Sequence, residues 1–345
     1  MKPEVSVVVP VYNEEEVLPI THRRLTDVLS GLELPYEIIY VDDGSTDSSA
    51  AIIRPWCSAD GKVKLLSFSR NFGHQTAITC GMDHAAGDAI VIIDADLQDP
   101  PELIPDMIAK WREGFEVVYA KRSKRSGETG FKKMSAGLYY RFLHKLSDVD
   151  IPTDVGDFRL IDKTVRDALF QMPEHNRYVR GLISWLGYRQ TFIEYERDAR
   201  QAGKTKYPLR KMINLAGDGI TSFSYKPLKI SIYIGVILSA ASFLFLLFIF
   251  ISRLFDLVDM EPGYASMMCV MLFFFGIVLI MLGVTGEYIG RIFEEVKSRP
   301  LYLVYREDGV FYESGRKGTM PGLAREVQRP DLADRDTSDK DSYFF

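Results

Sequence analysis

The chain has 345 residues and a formal net charge of −5, which allows one large domain or two smaller ones and does not suggest a nucleic-acid partner. Its three cysteines are scattered and form no C-x-x-C pair, so we expect reduced thiols rather than a disulfide framework. The five histidines show no zinc-type spacing, which argues against a catalytic zinc.

The first half of the chain alternates between apolar, β-branched runs and helix-like segments. Strands are predicted at 5–9, 37–41, 63–68, 89–93 and 116–119, and helices at 14–30, 46–54, 75–86, 101–113 and 131–146. This alternation predicts an α/β fold, with a mostly parallel sheet covered by helices on both faces. In such sheets ligands bind beyond the carboxyl ends of the strands. A further short strand is expected in "RPLYLVYRE".

Polar residues follow four successive predicted strands. The four strand ends read "VPVYNEEE", "YVDDGSTDSS", "SFSRNFGHQ" and "DADLQDPPE". Four polar ends at one edge of a sheet indicate a cleft of nucleotide size. Neither G-x-G-x-x-G nor G-x-x-x-x-G-K-[ST] occurs in the chain, so a metal held by carboxylates would have to bind the phosphates.

The fourth strand end has two interpretations. Asp94, Asp96 and Asp99 lie within six positions, directly after an apolar run. Asp and Pro are common in turns, so a buried strand that ends in a polar turn would look the same. The alternative is a site for a hard cation such as Mg²⁺, which takes carboxylate and phosphate oxygens as ligands.

Two late stretches, 230–252 and 263–286, contain no charged residue. Each exceeds the ~20 apolar residues that a helix needs to cross a bilayer, so two membrane spans are predicted. Positive residues flank the pair, at Lys226 and Lys229 before it and Arg291 after it. We therefore expect a multi-pass protein of the inner (plasma) membrane, with both termini and the catalytic domain in the cytoplasm.

The predicted organisation has four parts: a cytoplasmic catalytic domain at 1–200, a basic amphipathic segment at 201–228, two transmembrane helices at 229–290, and a cytoplasmic segment with a flexible tail at 291–345. Within the second part, apolar residues recur at helical spacing over 208–225. Two interpretations remain for that helix: it packs on the main domain, or it lies at the membrane interface facing anionic head groups.

The motifs together resemble a known family. "SVVVPVYNEEE", "YVDDGSTDSS", "RNFGHQTA" and "DADLQDPPE" resemble, in this order and spacing, the family 2 glycosyltransferases with the GT-A fold. With "GDFRLID", "RQAGKTKY" and two C-terminal spans, the chain is similar to the polyprenyl-phosphate glycosyltransferases, which include dolichol-phosphate mannose synthases and bactoprenol glucosyltransferases. The resemblance covers residues 4–305.

The resemblance implies roles at matching positions. The residues implied to line the base and ribose pocket are Pro10, Tyr12, Asn13, Glu14, Asp42 and Asp43. Those implied at the metal and diphosphate site are Asp94, Asp96 and Gln98, and Asp157 is implied where donor sugar and acceptor meet. Those implied to contact the diphosphate or the acceptor phosphate are Arg122, Arg125, Lys132, Ser135, Arg200 and Lys206. For the basic run at 121–133, a solvated loop is an equal alternative.

The reaction implied is inverting transfer of a sugar from a nucleotide diphosphate to a polyprenyl phosphate, with Mg²⁺ or Mn²⁺ as cofactor. UDP-glucose is the expected donor; GDP-mannose or a modified arabinose donor are the alternatives. A processive polysaccharide synthase is disfavoured because the chain lacks Q-x-x-R-W and has few spans, and a non-catalytic nucleotide-sugar sensor is disfavoured by the full motif set. A homo-oligomer is expected. The sequence leaves open the sugar, the metal, the prenyl chain length and whether Asp157 acts as a base or an orienting group.

Overall fold

The computed structural model describes residues 2–122, 155–195 without 173 and 176, scattered positions between 228 and 251, and residues 263–309. The predicted helix at 131–146, the basic segment at 201–228 except Leu228, and the C-terminal tail beyond 309 lie outside these residues.

The described elements alternate along the chain as predicted. The strands are β1 (Val5–Val11), β2 (Tyr36–Asp42), β3 (Val63–Phe68), β4 (Ala89–Ile92), β5 (Val117–Arg122), β6 (Val155–Asp162), β7 (Gln190–Tyr195) and β8 (Val304–Asp308). The helices are α1 (Leu18–Ser30), α2 (Ser49–Ala59), α3 (His74–His84), α4 (Ile104–Arg112), α5 (Lys163–Phe170), α6 (Val179–Leu186) and α7 (Tyr264–Lys297), with a 3₁₀ turn at Pro101–Leu103.

The eight strands form one sheet in the order β7-β5-β6-β4-β1-β2-β3-β8. β1 pairs in parallel with β2 and β4, β2 with β3, and β5 with β7. β6 runs antiparallel to β4 and β5, and β8 runs antiparallel to β3. The carboxyl ends of β1 to β5 and β7 therefore meet at one edge of the sheet, together with the starts of β6 and β8. We call this edge the rim.

Both faces of the sheet are buried. Along β1, Val7 and Val9 belong to the apolar cluster formed with α1, α2 and α4, whereas Val8 belongs to the cluster formed with α3, α5 and α6. A strand buried on both faces reads as a continuous apolar run, which is how these strands appear in the sequence. The predicted α/β fold, a mostly parallel sheet with helices on both faces, is confirmed.

Several predicted bounds are wrong for identifiable reasons. Helix α1 begins at Leu18 and not at residue 14: residues 15–17 form a turn in which the N–H of Val17 donates to the carbonyl of Glu14 at 3.1 Å. Helix α2 continues through Pro55 to Ala59, where the prediction ended before the proline. The elements β6, α5, α6 and β7 were not predicted.

Helix α7 has 34 residues, about 50 Å at 1.5 Å per residue, which is longer than a bilayer is thick. Within the described part of the chain, its segment Phe273–Lys297 is the one helix long and apolar enough to cross a membrane. The second predicted span is thus a long apolar helix. The first predicted span, 230–252, is helical at its described positions, but its bounds lie outside the described residues.

The chain that follows α7 docks on the sheet beside the rim. β8 enters the sheet with Val304 opposite Phe68, the last residue of β3. Tyr302 is buried, stacks on Phe68 and donates a hydrogen bond from its hydroxyl to Asp83 of α3 at 3.0 Å. The carboxyl end of α7 is therefore tethered on the side of the sheet where the strands end.

A second tether joins α7 to the loop before α6. The backbone N–H and Nδ1 of His175 lie 2.8 and 2.9 Å from the carboxylate oxygens of Glu295, and Nε2 lies 2.6 Å from the carbonyl oxygen of Arg299. Both ring nitrogens face acceptors, an arrangement that a doubly protonated ring satisfies. The hydrogen bond to Glu295 raises the pKa of His175, burial opposes it, and the Arg299 carbonyl adds to it.

This tether predicts a pH dependence. A histidine whose pKa is raised by folding contributes stability in full below its unfolded value of about 6.5 and loses it as the pH rises through the folded value. We expect the melting temperature of the wild type to exceed that of His175→Gln at about pH 6 and the difference to shrink by about pH 9. Thermal unfolding of both proteins in detergent measures it. A difference that stays constant with pH would contradict the protonated tether.

Candidate active site

The ends of β1 and β2 are joined by side chains. Asn13 adopts a positive φ of 54°, and its Oδ1 accepts the backbone N–H of Thr46 at 2.8 Å. Its own N–H donates to the hydroxyl of Ser45 at 3.0 Å, and Ser45 N–H donates to Oδ1 of Asp42 at 3.0 Å. The nearby Tyr12 ring is 41% exposed at the rim, whereas Pro10 is buried within β1. These bonds fix the polar loops at the ends of β1 and β2 beside an exposed aromatic ring.

The ends of β2 and β3 are joined through Asp43. Its carboxylate accepts the backbone N–H of Phe72 at 2.6 Å and that of Gly73 at 3.0 Å. Burial raises the pKa of Asp43, while the two N–H bonds oppose that rise. Of the two aspartates implied for the base pocket, Asp43 holds the loop before α3, and Asp42 stabilises the turn after β2.

Gly44 is required by this junction. Its φ is +68°, and a Cβ atom would lie 2.5 Å from the carbonyl carbon of Arg70. We expect Gly44→Ala to push the two loops apart, destabilise the domain by about 1–3 kcal/mol and weaken binding of the nucleotide that the sequence resemblance implies. Gly61→Ala is the matched control, because nothing lies within 4 Å of its added Cβ. Melting temperature and UDP affinity check this; equal values for the two variants would contradict it.

The loop after β4 holds the carboxylates proposed for a cation. Leu97 is buried with a positive φ of 56°, and this bend brings the N–H of Gln98 to Oδ1 of Asp96 at 3.1 Å. Thr21 of α1 donates to the carbonyl of Ala95 at 2.7 Å, which ties the loop to the helix below. A backbone that is strained at Leu97 and held by hydrogen bonds at Ala95 and Gln98 is typical of a functional loop.

Asp94 has an oxygen that fits a cation. Its Oδ1 is buried and lacks a hydrogen bond among the described residues, although Nε2 of His74 lies 3.4 Å away. Burial raises the pKa of Asp94, His74 opposes the rise and Asp157 adds to it, giving about 6. No group of three or more His, Cys, Asp or Glu suited to a metal occurs in the described ranges. A cation that also binds a diphosphate needs only one or two protein carboxylates, so this donor set fits one.

Asp157 lies at the start of β6, close to Asp94, and is held by two arginines. Arg180 of α6 donates from Nε and Nη2 to its two oxygens, each at 3.0 Å, and from Nη1 to the carbonyl of Val155. Arg159, only 1% exposed, donates to Oδ1 at 3.0 Å. Burial alone would raise the pKa of Asp157, but Arg180, His74 and Arg159 hold it well below its usual range.

His74, the first residue of α3, completes the cluster. Its Nε2 lies 3.4 Å from Asp94 and 3.4 Å from Asp157. Burial would lower the pKa of His74, but the hydrogen bond to Asp157 and the charges of Asp94 and Asp157 raise it to about 9. The structure therefore brings two predicted residues, Asp94 and Asp157, to either side of one ring.

The predicted site residues fall into two groups. Those at the described rim are Pro10, Tyr12, Asn13, Glu14, Asp42, Asp43, Asp94, Asp96, Gln98, Arg122 and Asp157. Those outside the described residues are Arg125, Lys132, Ser135, Arg200 and Lys206. The location of the first group is observed, while the roles of both groups remain predictions.

Sequence reasoning missed His74, Arg159 and Arg180. The first two lie inside the motifs "RNFGHQTA" and "GDFRLID", so the titratable residues of these motifs could have identified them as site candidates. Nothing in the sequence marks Arg180, which reaches Asp157 from an element that was not predicted.

Comparisons with known proteins agree with these motifs. Residues 6–170 match the model of glycosyl transferase family 2, and residues 226–292 match that of the GtrB C-terminal hairpin. A solved structure of glucosyl-3-phosphoglycerate synthase from Mycobacterium tuberculosis, in complex with Mn²⁺, UDP-glucose and phosphoglyceric acid, matches with a TM-score of 0.41 at 20% identity, over 64% of this chain and 78% of that chain.

Relatives match nearly end to end. An uncharacterized glycosyltransferase of Bacillus subtilis, YkcC, is 54% identical over 88% of this chain and 94% of its own length. A bactoprenol glucosyl transferase of Shigella phage SfX is 43% identical over 87% and 98%. A prophage bactoprenol glucosyl transferase homolog of Escherichia coli is 42% identical over 88% and 99%.

Proposed function

The chain belongs to glycosyltransferase family 2, and from that premise we propose that it transfers a sugar from a nucleotide diphosphate to a polyprenyl phosphate at the cytoplasmic membrane face, with inversion at the anomeric carbon. The observation that carries the proposal is the pairing, around His74, of an Asp94 oxygen that fits a cation with an Asp157 carboxylate fixed by two arginines. Relatives named bactoprenol glucosyl transferases support the acceptor class.

The donor half of the site is proposed to lie between the ends of β1, β2 and β4. Tyr12 offers an exposed ring to the base, and Asp42 and Asn13 lie beside it. Asp94, Asp96 and Gln98 would hold Mg²⁺ or Mn²⁺ next to the diphosphate. A bound cation would supply Lewis-acid stabilisation of the charge that develops on the leaving nucleotide.

The acceptor half is proposed to lie at Asp157. A phosphate acceptor is already an anion at neutral pH, so a strong general base is not needed. Both oxygens of Asp157 already accept N–H bonds, and its low pKa makes it a weak base. We therefore assign it an orienting role. Two guanidinium groups facing one carboxylate leave a positive charge near the site, which suits an anionic acceptor.

The membrane attachment fits a lipid acceptor. A polyprenyl chain leaves the bilayer at a cost of roughly 0.8 kcal/mol per exposed CH₂, so the site must approach the head group. The end of α7 is tethered on the rim side of the sheet through β8, Tyr302 and His175. This arrangement supports a rim close to the inner leaflet. The match of residues 226–292 to the GtrB C-terminal hairpin supports two spans, with both termini cytoplasmic.

A homo-oligomer is also proposed. Near the charged end of the candidate span Phe273–Lys297, Ile289, Phe293 and Val296 are exposed at spacings of four and three residues and form an apolar stripe. A second copy could cover this stripe. The molecular mass of the protein in lipid nanodiscs checks this, and a single-chain mass would contradict it.

Glucose from UDP-glucose is the proposed donor, with GDP-mannose and a modified arabinose donor as alternatives. The test is a donor screen: purified protein in nanodiscs receives undecaprenyl phosphate, Mn²⁺ and one labelled nucleotide sugar at a time. Label in the lipid fraction with UDP-glucose supports the proposal. Long insoluble polymer would indicate a synthase, and binding without turnover a sensor.

A further inference from the structure

We propose that His74 is a positioning residue that keeps the Asp94 and Asp157 carboxylates in separate roles, the first toward the donor diphosphate and the second toward the acceptor. The inference rests on the proposed function, because that function assigns the two roles. His74 is placed between them by the geometry of three different strand ends.

The first observation is the shared nitrogen. Nε2 of His74 lies 3.4 Å from Oδ1 of Asp94 and 3.4 Å from Oδ2 of Asp157, so the two oxygens are no further apart than twice that distance. Two carboxylates this close repel each other unless a donor stands between them. The Nε2–H group of His74 lies between the two oxygens and is such a donor for one of them at a time.

The second observation is that the ring is held from the backbone. His74 directly follows Gly73, whose N–H is bound by Asp43 of the β2 end. The next residue, Gln75, lies 3.5 Å from Asp157 through its amide nitrogen and accepts the N–H of Val179 at 3.3 Å. Asp157 is fixed from the opposite side by Arg180. The backbone that carries the imidazole is therefore held by Asp43 and by Val179 of α6, in addition to the contact of Gln75 with Asp157.

The third observation separates this role from core packing. The His74 side chain is 40% exposed, so its truncation removes little buried surface. Without the ring, Asp157 stays held by Arg180 and Arg159, but no N–H donor lies between it and Asp94. The Asp94 oxygen then keeps its place for a cation, whereas the anionic acceptor meets two carboxylates whose repulsion nothing relieves.

The experiment compares His74→Ala, His74→Gln and the control His84→Ala. His84 lies at the far end of the same helix and bonds only the Cys80 carbonyl and thiol among the described residues. Three quantities are measured: calorimetric affinity for UDP with Mn²⁺, kcat and KM for undecaprenyl phosphate, and melting temperature. A purely structural residue would move all three in the same direction.

We expect His74→Ala to bind Mn²⁺ and UDP at least as tightly as the wild type, while kcat falls about 10²-fold and KM for the lipid rises. His74→Gln, whose amide carries two N–H donors, should recover part of kcat. Unchanged kcat and KM in His74→Ala would overturn the inference. So would a joint fall of melting temperature, UDP affinity and kcat.

Failure of the proposed function can be distinguished from failure of the His74 inference. If the wild type binds UDP with Mn²⁺ but transfers no sugar, the proposed function fails. The His74 inference is then tested by the UDP affinities alone, and weaker binding by His74→Ala than by the wild type overturns it. A wild type that binds no UDP with Mn²⁺ overturns both.

Discussion

Asp96→Ala is expected to lower the rate of sugar transfer by about 10²–10³-fold, the usual cost of removing a group aimed at charge that develops in the transition state. The fold should survive, because Asp96 is half-buried in a loop, where its Oδ1 accepts the backbone N–H of Gln98. Loss of one such bond costs about 1 kcal/mol. Turnover of labelled UDP-glucose into lipid measures the effect.

The control for Asp96 lies at the other end of the same strand. Asp88 precedes β4 at the edge opposite the rim, where its carboxylate pairs with Lys2 at 2.6 Å in an exposed position. Exposed pairs contribute little, so Asp88→Ala should transfer sugar at the wild-type rate. Equal activity of the two alanine variants would remove Asp96 from the proposed site.

Asp157→Asn is expected to have the second large effect, on both activity and stability. The amide cannot replace the charge that two arginines surround, so the acceptor is oriented less well and kcat should fall about 10²-fold. Arg159 is left as a buried guanidinium without its carboxylate, which should destabilise the protein by about 3 kcal/mol. Kinetics with varied undecaprenyl phosphate and thermal unfolding measure the two effects.

Asp162→Asn is the matched control on the same strand. Asp162 ends β6 at the opposite edge, where its Oδ1 accepts the N–H of Thr164 at 2.7 Å. Asparagine caps helices as well as aspartate does, but its NH2 would face the indole N–H of Trp111, which Oδ2 of Asp162 accepts at 2.7 Å. Stability should therefore fall by about 1 kcal/mol, while activity stays at the wild-type level. If Asp157→Asn behaved like this control, the acceptor half of the proposed site would be wrong.

The parts of the fold that could be predicted are those with local signals. β1 to β4 are apolar runs followed by polar ends, and the parallel order of such strands places those ends together. β6 gave no such signal, because Asp157 and Arg159 interrupt its apolar run, although both side chains are buried. A buried ion pair looks like an exposed segment in a hydropathy pattern.

The same limit applies to the site. Asp94 and Asp96 could be recognised as candidates from their spacing in the sequence. The Arg180–Asp157 pair could not, because it joins residues 23 positions apart that lie on a helix and a strand that were not predicted. His74 meets Asp157 only because β6 runs antiparallel beside β4. The order and direction of the strands depend on packing over the whole sheet, so no single sequence motif predicts this contact.

The most direct test of the account is the dependence of transfer on a cation at the loop after β4. Purified protein in nanodiscs is stripped with a chelator, and labelled lipid is measured during a titration with Mn²⁺ or Mg²⁺, for the wild type and for the double variant Asp94→Asn, Asp96→Asn. The account predicts negligible transfer without cation, recovery by titration in the wild type and none in the variant. Full-rate transfer by the stripped wild type, or by the variant, would contradict it.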